Sequence, residues 1–422
     1  MKLDEVLNNQ KKDIKPSIYE LSLLKKESAE IISLIKKEIT KKKIKAKVFI
    51  GGSFAKGTLD RREEYDVDIF IKFDKKHKEI SYLTEQILNS FKNDLGFNFK
   101  KIHGSRDYFS FSKENRQYEI IPVLDIRKAS QASNVTDLSY FHVNYVKKKS
   151  NKNIISDILL AKRFCKAQNV YGAESYINGF SGYALECLII HYKSFKNMLK
   201  NLTSAKELII DPQKHYKSKL DVNLNMSESK LKSPIILVDP TLKDRNVLAA
   251  LNDGSFLRFQ KAARAFLVKP SNSFFQRKNS LKDKLEEGKI KKDEILIELQ
   301  TDRQEGDIAA TKMKKFAEYL RKELSQYFVI KCFDYEYQNN HSSLIFFSLK
   351  NKLKIERKGP PLKMIKEVKN FKNKNKNTYI KKDRIYAIVN SPSNPKIFLH
   401  NFLKTYSARL KEMAITKFVL HN

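Results

Sequence analysis

Eight residues, Asp66-Val67-Asp68-Ile69-Phe70-Ile71-Lys72-Phe73, constrain this chain more than any other stretch. Val67, Ile69, Ile71 and Phe73 alternate with Asp66, Asp68, Phe70 and Lys72, the two-residue period of a pleated strand. Asp66 and Asp68 therefore share one face. Two residues of strand separate their Cα atoms by roughly 7 Å, and paired catalytic metal ions typically sit ~3.5–4 Å apart. Such a pair can bracket one ion and reach a second. Unpaired carboxylates at this distance repel each other; a divalent cation removes the repulsion, and oxygen ligands favour magnesium or manganese.

The segment before this strand supplies the other half of a nucleotide site. Ala46 to Ile50 reads as a strand, and Gly51-Gly52 lets the backbone turn with no Cβ in the way. Ser53 is then placed to cap a short helix. Helix N-termini and turns with exposed N–H groups attract phosphate, and Ser53 and Lys56 add a hydroxyl and a positive charge. The Gly-x-x-x-x-Gly-Lys-Ser/Thr spacing of a Walker loop is absent.

Charge narrows the partners. Among 422 residues, 83 Lys and Arg face 48 Asp and Glu, a formal charge of +35. Such an excess points to a polyanion, nucleic acid first and an acidic membrane surface second. Runs such as Lys41-Lys42-Lys43 also fit solvated helix faces. Cys165, Cys187 and Cys332 are widely spaced, supporting neither a zinc site nor a disulfide framework and fitting a reducing cytoplasm. No run of 18 apolar residues occurs and Met1 to Glu5 opens without an apolar signal core, so the expectation is an intracellular protein outside membranes.

Along the chain, Pro16 to Lys37 reads as an amphipathic helix with Leu21, Leu24, Ile31 and Ile35 on its apolar face. Lys78 to Asp94 reads as a second helix, ended by Gly96. Phe97 to Ile102, Asp107 to Ser112 and Tyr118 to Ile126 read as strands, giving a mixed α/β unit. A third carboxylate for the metal face belongs on the last of these. Glu119 and Asp125 share a face by alternation, too far apart to serve one ion pair together, and the pattern alone does not choose between them. The polar run Lys147 to Asn153 reads as a connection, after which the pattern turns helical. Beyond Pro270 come a helix over Ile308 to Leu324, aromatic strands at Tyr327 to Ile330 and Leu344 to Leu349, and a basic stretch from Lys366 to Lys382 whose Asn370 to Asn377 part reads as a solvated loop.

Gly-Gly-Ser followed after a short gap by Asp-x-Asp on a strand is similar to the signature of the DNA polymerase β-like nucleotidyltransferases. Within that superfamily Gly52-Ser53-Phe54-Ala55-Lys56-Gly57-Thr58 resembles the class I, archaeal-type CCA-adding enzymes. So do Glu119-Ile120-Ile121-Pro122, with Glu where the family usually has Asp, and Ser139-Tyr140-Phe141-His142, near the family's Thr-Pro-Phe-His. Lys162, nine residues before Tyr171-Gly172, then Gly179-Phe180-Ser181-Gly182-Tyr183 and an apolar helix over Ala184 to Tyr192, resemble the family's central domain. Val238-Asp239-Pro240 with Arg245 to Ala250, in which Arg245 is expected to open a helix, and Gly359-Pro360-Pro361 extend the likeness.

The resemblance implies a multidomain α+β protein: a polymerase β-like nucleotidyltransferase head over 1–147, a helical central domain over 148–272 completing the nucleotide site, and a C-terminal α/β RNA-binding body and tail over 273–422. It implies a tRNA nucleotidyltransferase that adds C, C and A from CTP and ATP without a template, using two Mg2+ ions on Asp66, Asp68 and Glu119. Gly52, Ser53, Lys56, Ser139, His142, Lys162 and Tyr171 would hold the triphosphate and ribose, and Arg245 would read the base edge, a task its planar fork suits. The partners implied are tRNA, CTP and ATP, with no membrane and with a homodimer left open, in the cytoplasm. Taken from the residues alone, His142 equally fits a satisfied buried histidine, Lys162 a surface helix lysine and Arg245 a salt-bridged arginine. A poly(A) polymerase or oligonucleotide synthetase shares Gly-Gly-Ser and Asp-x-Asp but should lack the Tyr171 and Arg245 blocks. A non-catalytic basic RNA binder should lose the acidic residues.

Overall fold

A computed structural model describes residues 2–421 except 62–63, 92–97, 105, 205–207, 278–279, 289, 292, 303–305, 339–340 and 393. The expected helix end at Gly96 lies outside the described residues. The chain folds as two compact units, residues 1–277 and 278–422.

The first unit begins with α1 (Leu3–Lys12) and α2 (Ile18–Lys41). Ser17 and Glu20 form a capping box that starts α2, satisfying two orphan amides of the first turn. Its buried stripe is Leu24, Ile31, Ile35 and Ile39; Leu21, expected on that face, is exposed in the first turn of the helix. Then follow β1 (Ala46–Ile50), α3 (Gly52–Lys56), β2 (Tyr65–Phe73), α4 (Ile80–Asn89), β3 (Lys100–Ile102), β4 (Tyr108–Lys113) and β5 (Arg116–Leu124). They make a five-stranded sheet in the order β1-β2-β5-β4-β3. Only β2 and β5 pair in parallel; the other neighbours are antiparallel. One sheet face, with Val67, Ile69, Ile71, Phe73, Tyr118 and Ile120, packs under α2 and α4 in a continuous core. The opposite face carries the acidic residues.

Helices follow: α5 (Ser139–Lys149), α6 (Lys152–Ala167), α7 (Gly182–Tyr192) and α8 (Phe195–Ser204). The expected connection over Lys147 to Asn153 shrinks to Ser150 and Asn151. Lys147 to Lys149 complete the last turn of α5, where cations suit the helix dipole, and the Asn151 side chain caps α6 by accepting from the amides of Asn153 and Ile154. A small sheet, β6 (Leu208–Ile210), β7 (Ile235–Asp239) and β8 (Leu242–Asn246), comes with α9 (Lys219–Asn225), α10 (Glu228–Leu231) and α11 (Asp253–Val268). The second core of this unit gathers α6, α7, α8 and α11, and Val6, Leu7 and Ile14 from the N-terminus join it rather than the core under the five-stranded sheet.

The second unit contains α12 (Leu281–Glu286), β9 (Glu294–Gln300), α13 (Gly306–Tyr327), β10 (Phe328–Tyr337) and β11 (Ser342–Asn351), then β12 (Lys354–Pro361), α14 (Ile365–Lys374), β13 (Thr378–Lys381), β14 (Arg384–Asn390), α15 (Pro395–Thr405) and β15 (Lys417–His421). Its sheets run β10-β11-β9-β15 and β12-β14-β13. Met313, Phe316, Leu320 and Leu324 of α13 bury against Ile295, Ile297, Ile345 and Phe347. The expected solvated loop at Asn370 to Asn377 is mostly helix. Phe371 lies against Gly359, and Asn375 closes the helix by donating from its side chain to the Phe371 carbonyl at 2.8 Å.

Candidate active site

Parallel pairing of β2 with β5 sets Asp68 opposite Glu119 and Asp66 opposite Gln117. Side chains alternate across a strand, so the three carboxylates rise from one face of two adjacent strands. Burial, then the negative charges of Asp68 and Asp66, push the Glu119 carboxyl up to about 7. On β4 Ser110 pairs with Glu119, so Tyr108, two residues away and singled out by no sequence pattern, shares the face of the carboxylates; burial and the charges of Glu119 and Asp68 push its hydroxyl up to about 12. Among the described residues no three acidic, histidine or cysteine side chains are already drawn into a ligand set. The donors nevertheless suit a hard divalent cation: all are carboxylate oxygens, and their mutual repulsion is what such an ion relieves. Asp125 lies past the end of β5 and pairs with Lys72 at 2.9 Å and Lys47 at 3.9 Å; of the two acidic residues the sequence left open, Glu119 is the one facing Asp68.

The glycine turn closes directly onto this face. Gly51 N–H donates to the Asp68 carbonyl at 2.8 Å. Gly52 has φ +57°, and a Cβ there would fall 1.6 Å from Asp68 Oδ2. Only glycine fits both the conformation and the approach. Gly52 and Ser53 start α3, Lys56 is its last residue, and Gly57 ends it in the left-handed region.

Lys56 leads to a buried cluster. Its Nζ lies 2.6 Å from Glu186 Oε2 and 5.8 Å from the Tyr183 ring centroid. Thr58 Oγ1 donates to Glu186 Oε1 at 2.6 Å. Lys162, 2 % exposed, is not a surface lysine: it donates to the Thr58 carbonyl at 3.0 Å, to Thr58 Oγ1 at 3.1 Å and to Glu186 Oε1 at 2.9 Å, which engages all three ammonium hydrogens. Burial acts to raise the fully buried Glu186 carboxyl, but the Lys162 and Lys56 charges and the hydrogen bonds from Lys56 and Thr58 bring it down to about 2. At the start of α7 a Cβ on Gly182 would lie 2.9 Å from the Tyr171 hydroxyl and 3.8 Å from Lys162 Nζ, so this glycine lets Tyr171 and Lys162 meet at the helix end. Lys166, paired with Asp60 at 2.6 Å, stands 5.0 Å over the Tyr171 ring.

A second buried carboxylate, Asp239, gathers most of the rest. It accepts from His142 Nε2 at 3.1 Å, Arg245 Nη1 at 2.6 Å, the Tyr183 hydroxyl at 3.2 Å, and the Thr241 amide and hydroxyl at 2.8 Å each. Burial opposes its charge, but the His142 hydrogen bond, the Arg245 guanidinium and the Thr241 amide hold it well below the usual carboxylate range. The His142 ring stacks on Tyr183 with centroids 3.8 Å apart, and burial lowers its pKa. Ser139 opens α5 one turn before His142, half-buried. Arg245 does not open a helix as expected; it sits on β8 of a hairpin. The reason is Asn246, whose side-chain oxygen accepts from the amides of Leu237 and Leu248 at 2.9 Å each. An Asn that takes up backbone donors in this way favours a turn over a helix.

Comparison with known proteins points to one family. Residues 32–157 match the nucleotidyltransferase domain family and residues 156–276 the family described as tRNA nucleotidyltransferase, second domain. The CCA-adding enzyme of Nanoarchaeum equitans is 35% identical over 353 residues, covering 81% of this chain and 83% of the relative. The chain belongs to the CCA-adding enzyme family. A second family member, from Methanocaldococcus jannaschii, is 27% identical across 99% of this chain and 94% of its own length. Crystal structures of the Cid1 poly(U) polymerase match 65% of this chain and 98% of theirs with a TM-score of 0.51 at 14% identity, a likeness of fold alone. The α+β, multidomain nucleotidyltransferase architecture expected from the motifs is the one found.

Proposed function

We propose that this CCA-adding enzyme family member extends the tRNA 3′ end with C, C and A from CTP and ATP at the face formed by Asp66, Asp68 and Glu119. The observation that carries the reading is the register of β2 on β5 with Gly52 closed against Asp68. It joins a three-carboxylate face to a turn suited to phosphate within one structural element. Nucleotidyltransferases generally use divalent metal ions, and here the fit of three hard oxygen donors supports two Mg2+ ions on Asp66, Asp68 and Glu119. When bound, such ions acidify the attacking 3′-hydroxyl and screen the triphosphate charge.

The chain's own residues do the positioning. Lys56 has given one of its three donors to Glu186 and presents the others to the phosphates. Ser53 and the amides of the Gly52 turn take phosphate oxygens, and Ser139 adds a hydroxyl from the first turn of α5. Lys162 supports Lys56 from behind through Glu186, and Tyr171 closes the ribose side. His142 gives its Nε2 hydrogen to Asp239, and its ring packs on Tyr183. Arg245, held by one nitrogen on Asp239, keeps the rest of its fork for a base edge, in geometry fixed by the hairpin. Fixed charges aimed at the reacting phosphate need no reorganisation as the reaction proceeds. The free cysteines fit the cytoplasm as the place of work.

The test is to incubate the enzyme with Mg2+, tRNA lacking its 3′ end, and each labelled nucleotide alone and together. Two additions from CTP, and one from ATP only after those, support the reading. Unordered addition of a single nucleotide, or none, contradicts it.

A further inference from the structure

Glu186 touches Lys56 and Lys162 but none of the reacting groups. It is the one acidic residue in a helix that is otherwise apolar over Ala184 to Ile190, and it is fully buried. Each of its oxygens holds a different lysine: Oε2 takes Lys56, from the turn beside the carboxylate face, and Oε1 takes Lys162 on α6 together with the Thr58 hydroxyl. A buried carboxylate is costly unless fully paired; here every pairing fixes a cation or the end of the glycine turn.

We propose that Glu186 is a positioning residue for the incoming nucleotide, which aims Lys56 at the triphosphate and ties the glycine turn to α6. The inference rests on the reading of this site as a nucleoside triphosphate site. Two ammonium groups share one carboxylate, so the cluster keeps one uncompensated positive charge, and Lys56, whose donors are not all spent, is where it meets the ligand. Lys162 is held by the same carboxylate and by Thr58, with its three hydrogens engaged. Glutamine at position 186 has the same shape but one carbonyl oxygen, which keeps Lys162 and the Thr58 hydroxyl, the two donors that share Oε1, so its N–H2 turns toward Lys56. Lys56 then loses its partner and its direction, and the loss falls on the triphosphate of CTP and ATP alike, since the contact does not involve the base.

The experiment compares wild type, Glu186→Gln, Lys56→Met and the double variant, all as full-length enzyme. Read-outs are KM for CTP, ATP and tRNA, and the inhibition constant of inorganic tripolyphosphate, which reports phosphate binding without a base. Glu186→Gln should raise KM for both nucleotides and the tripolyphosphate constant by about tenfold, the worth of a charge-assisted hydrogen bond. KM for tRNA should stay within about twofold, and in the Lys56→Met background the same change should add less than about twofold, since residues acting through one contact are not additive. Unchanged nucleotide KM values, a parallel rise in KM for tRNA, or full additivity with Lys56→Met would overturn the proposal. Should Glu186→Gln fail to fold, Thr58→Val removes the hydroxyl bridging Glu186 and Lys162. A rise of about threefold in both nucleotide KM values supports the proposal, and no change rejects it. If wild type itself incorporates neither CTP nor ATP, the reading of the site fails and the role of Glu186 falls with it, an outcome distinct from unchanged KM values in an active enzyme.

Discussion

Gly52 and Glu119 show how single residues set the terms of this site. Alanine at 52 must place a Cβ where Asp68 Oδ2 lies while holding φ at +57°, so Gly52→Ala should cost about 1–3 kcal/mol in stability. It should also lower single-turnover CTP incorporation more than a hundredfold, a figure on the order of that for displacing a catalytic group by 1 Å; a rapid-quench assay measures it. Glu119 offers a pH test. Its folded pKa is raised from 4.5 to about 7 by burial and by Asp68 and Asp66. A carboxyl raised on folding binds its proton more tightly in the native state, so its ionisation destabilises the fold progressively between about pH 4.5 and 7. In EDTA, Glu119→Gln should therefore match wild type in melting temperature near pH 4 and exceed it at pH 8, and equal values at both pH values would contradict this. Asp66, Asp68 and Gly52 were readable because alternation and turn chemistry are local. Glu186, Asp239 and Tyr108 were not. Glu186 meets Lys56 across 130 residues and Asp239 meets His142 across 97, and no periodicity carries a pairing over that distance.

Elements were legible where one face or one cap decides them. The strand β2 and the helix α2 follow from apolar spacing and from the Ser17 and Glu20 box. The hairpin carrying Arg245 is not legible in the sequence, because Arg-Asn-Val-Leu-Ala-Ala has good helix formers and its override comes from one side chain. Asn246 accepts from two amides and donates to the Lys230 carbonyl at 2.8 Å. Asn246→Ala leaves those buried amides without their acceptor and should destabilise by on the order of 2 kcal/mol. It should also loosen Arg245, raising KM for CTP and ATP; thermal unfolding and initial rates read the two effects. At Lys147 to Lys149 polarity alone suggests a connection. Three lysines at a helix C-terminus are favoured by the dipole, so the charge run marked a helix end rather than a gap.

At the scale of the molecule, a charge of +35 and membership of the CCA-adding family converge on a tRNA partner held mainly through its phosphates. Affinity for tRNA should then fall by about a hundredfold or more between 50 and 200 mM KCl, while KM for CTP moves far less; filter binding at several salt concentrations decides it. The boundary between the two units, at residues 277 and 278, was legible in the change of character beyond Pro270, whereas the entry of α1 into the helical core was not, since Val6, Leu7 and Ile14 carry no signal for which core they join. The most direct test of the whole account is Asp68→Ala, assayed in parallel for CTP incorporation into tRNA lacking its 3′ end and for tRNA binding. The expected result is no detectable incorporation with tRNA affinity unchanged; incorporation at the wild-type rate would show that the carboxylate face beside Gly52 is not where the reaction takes place.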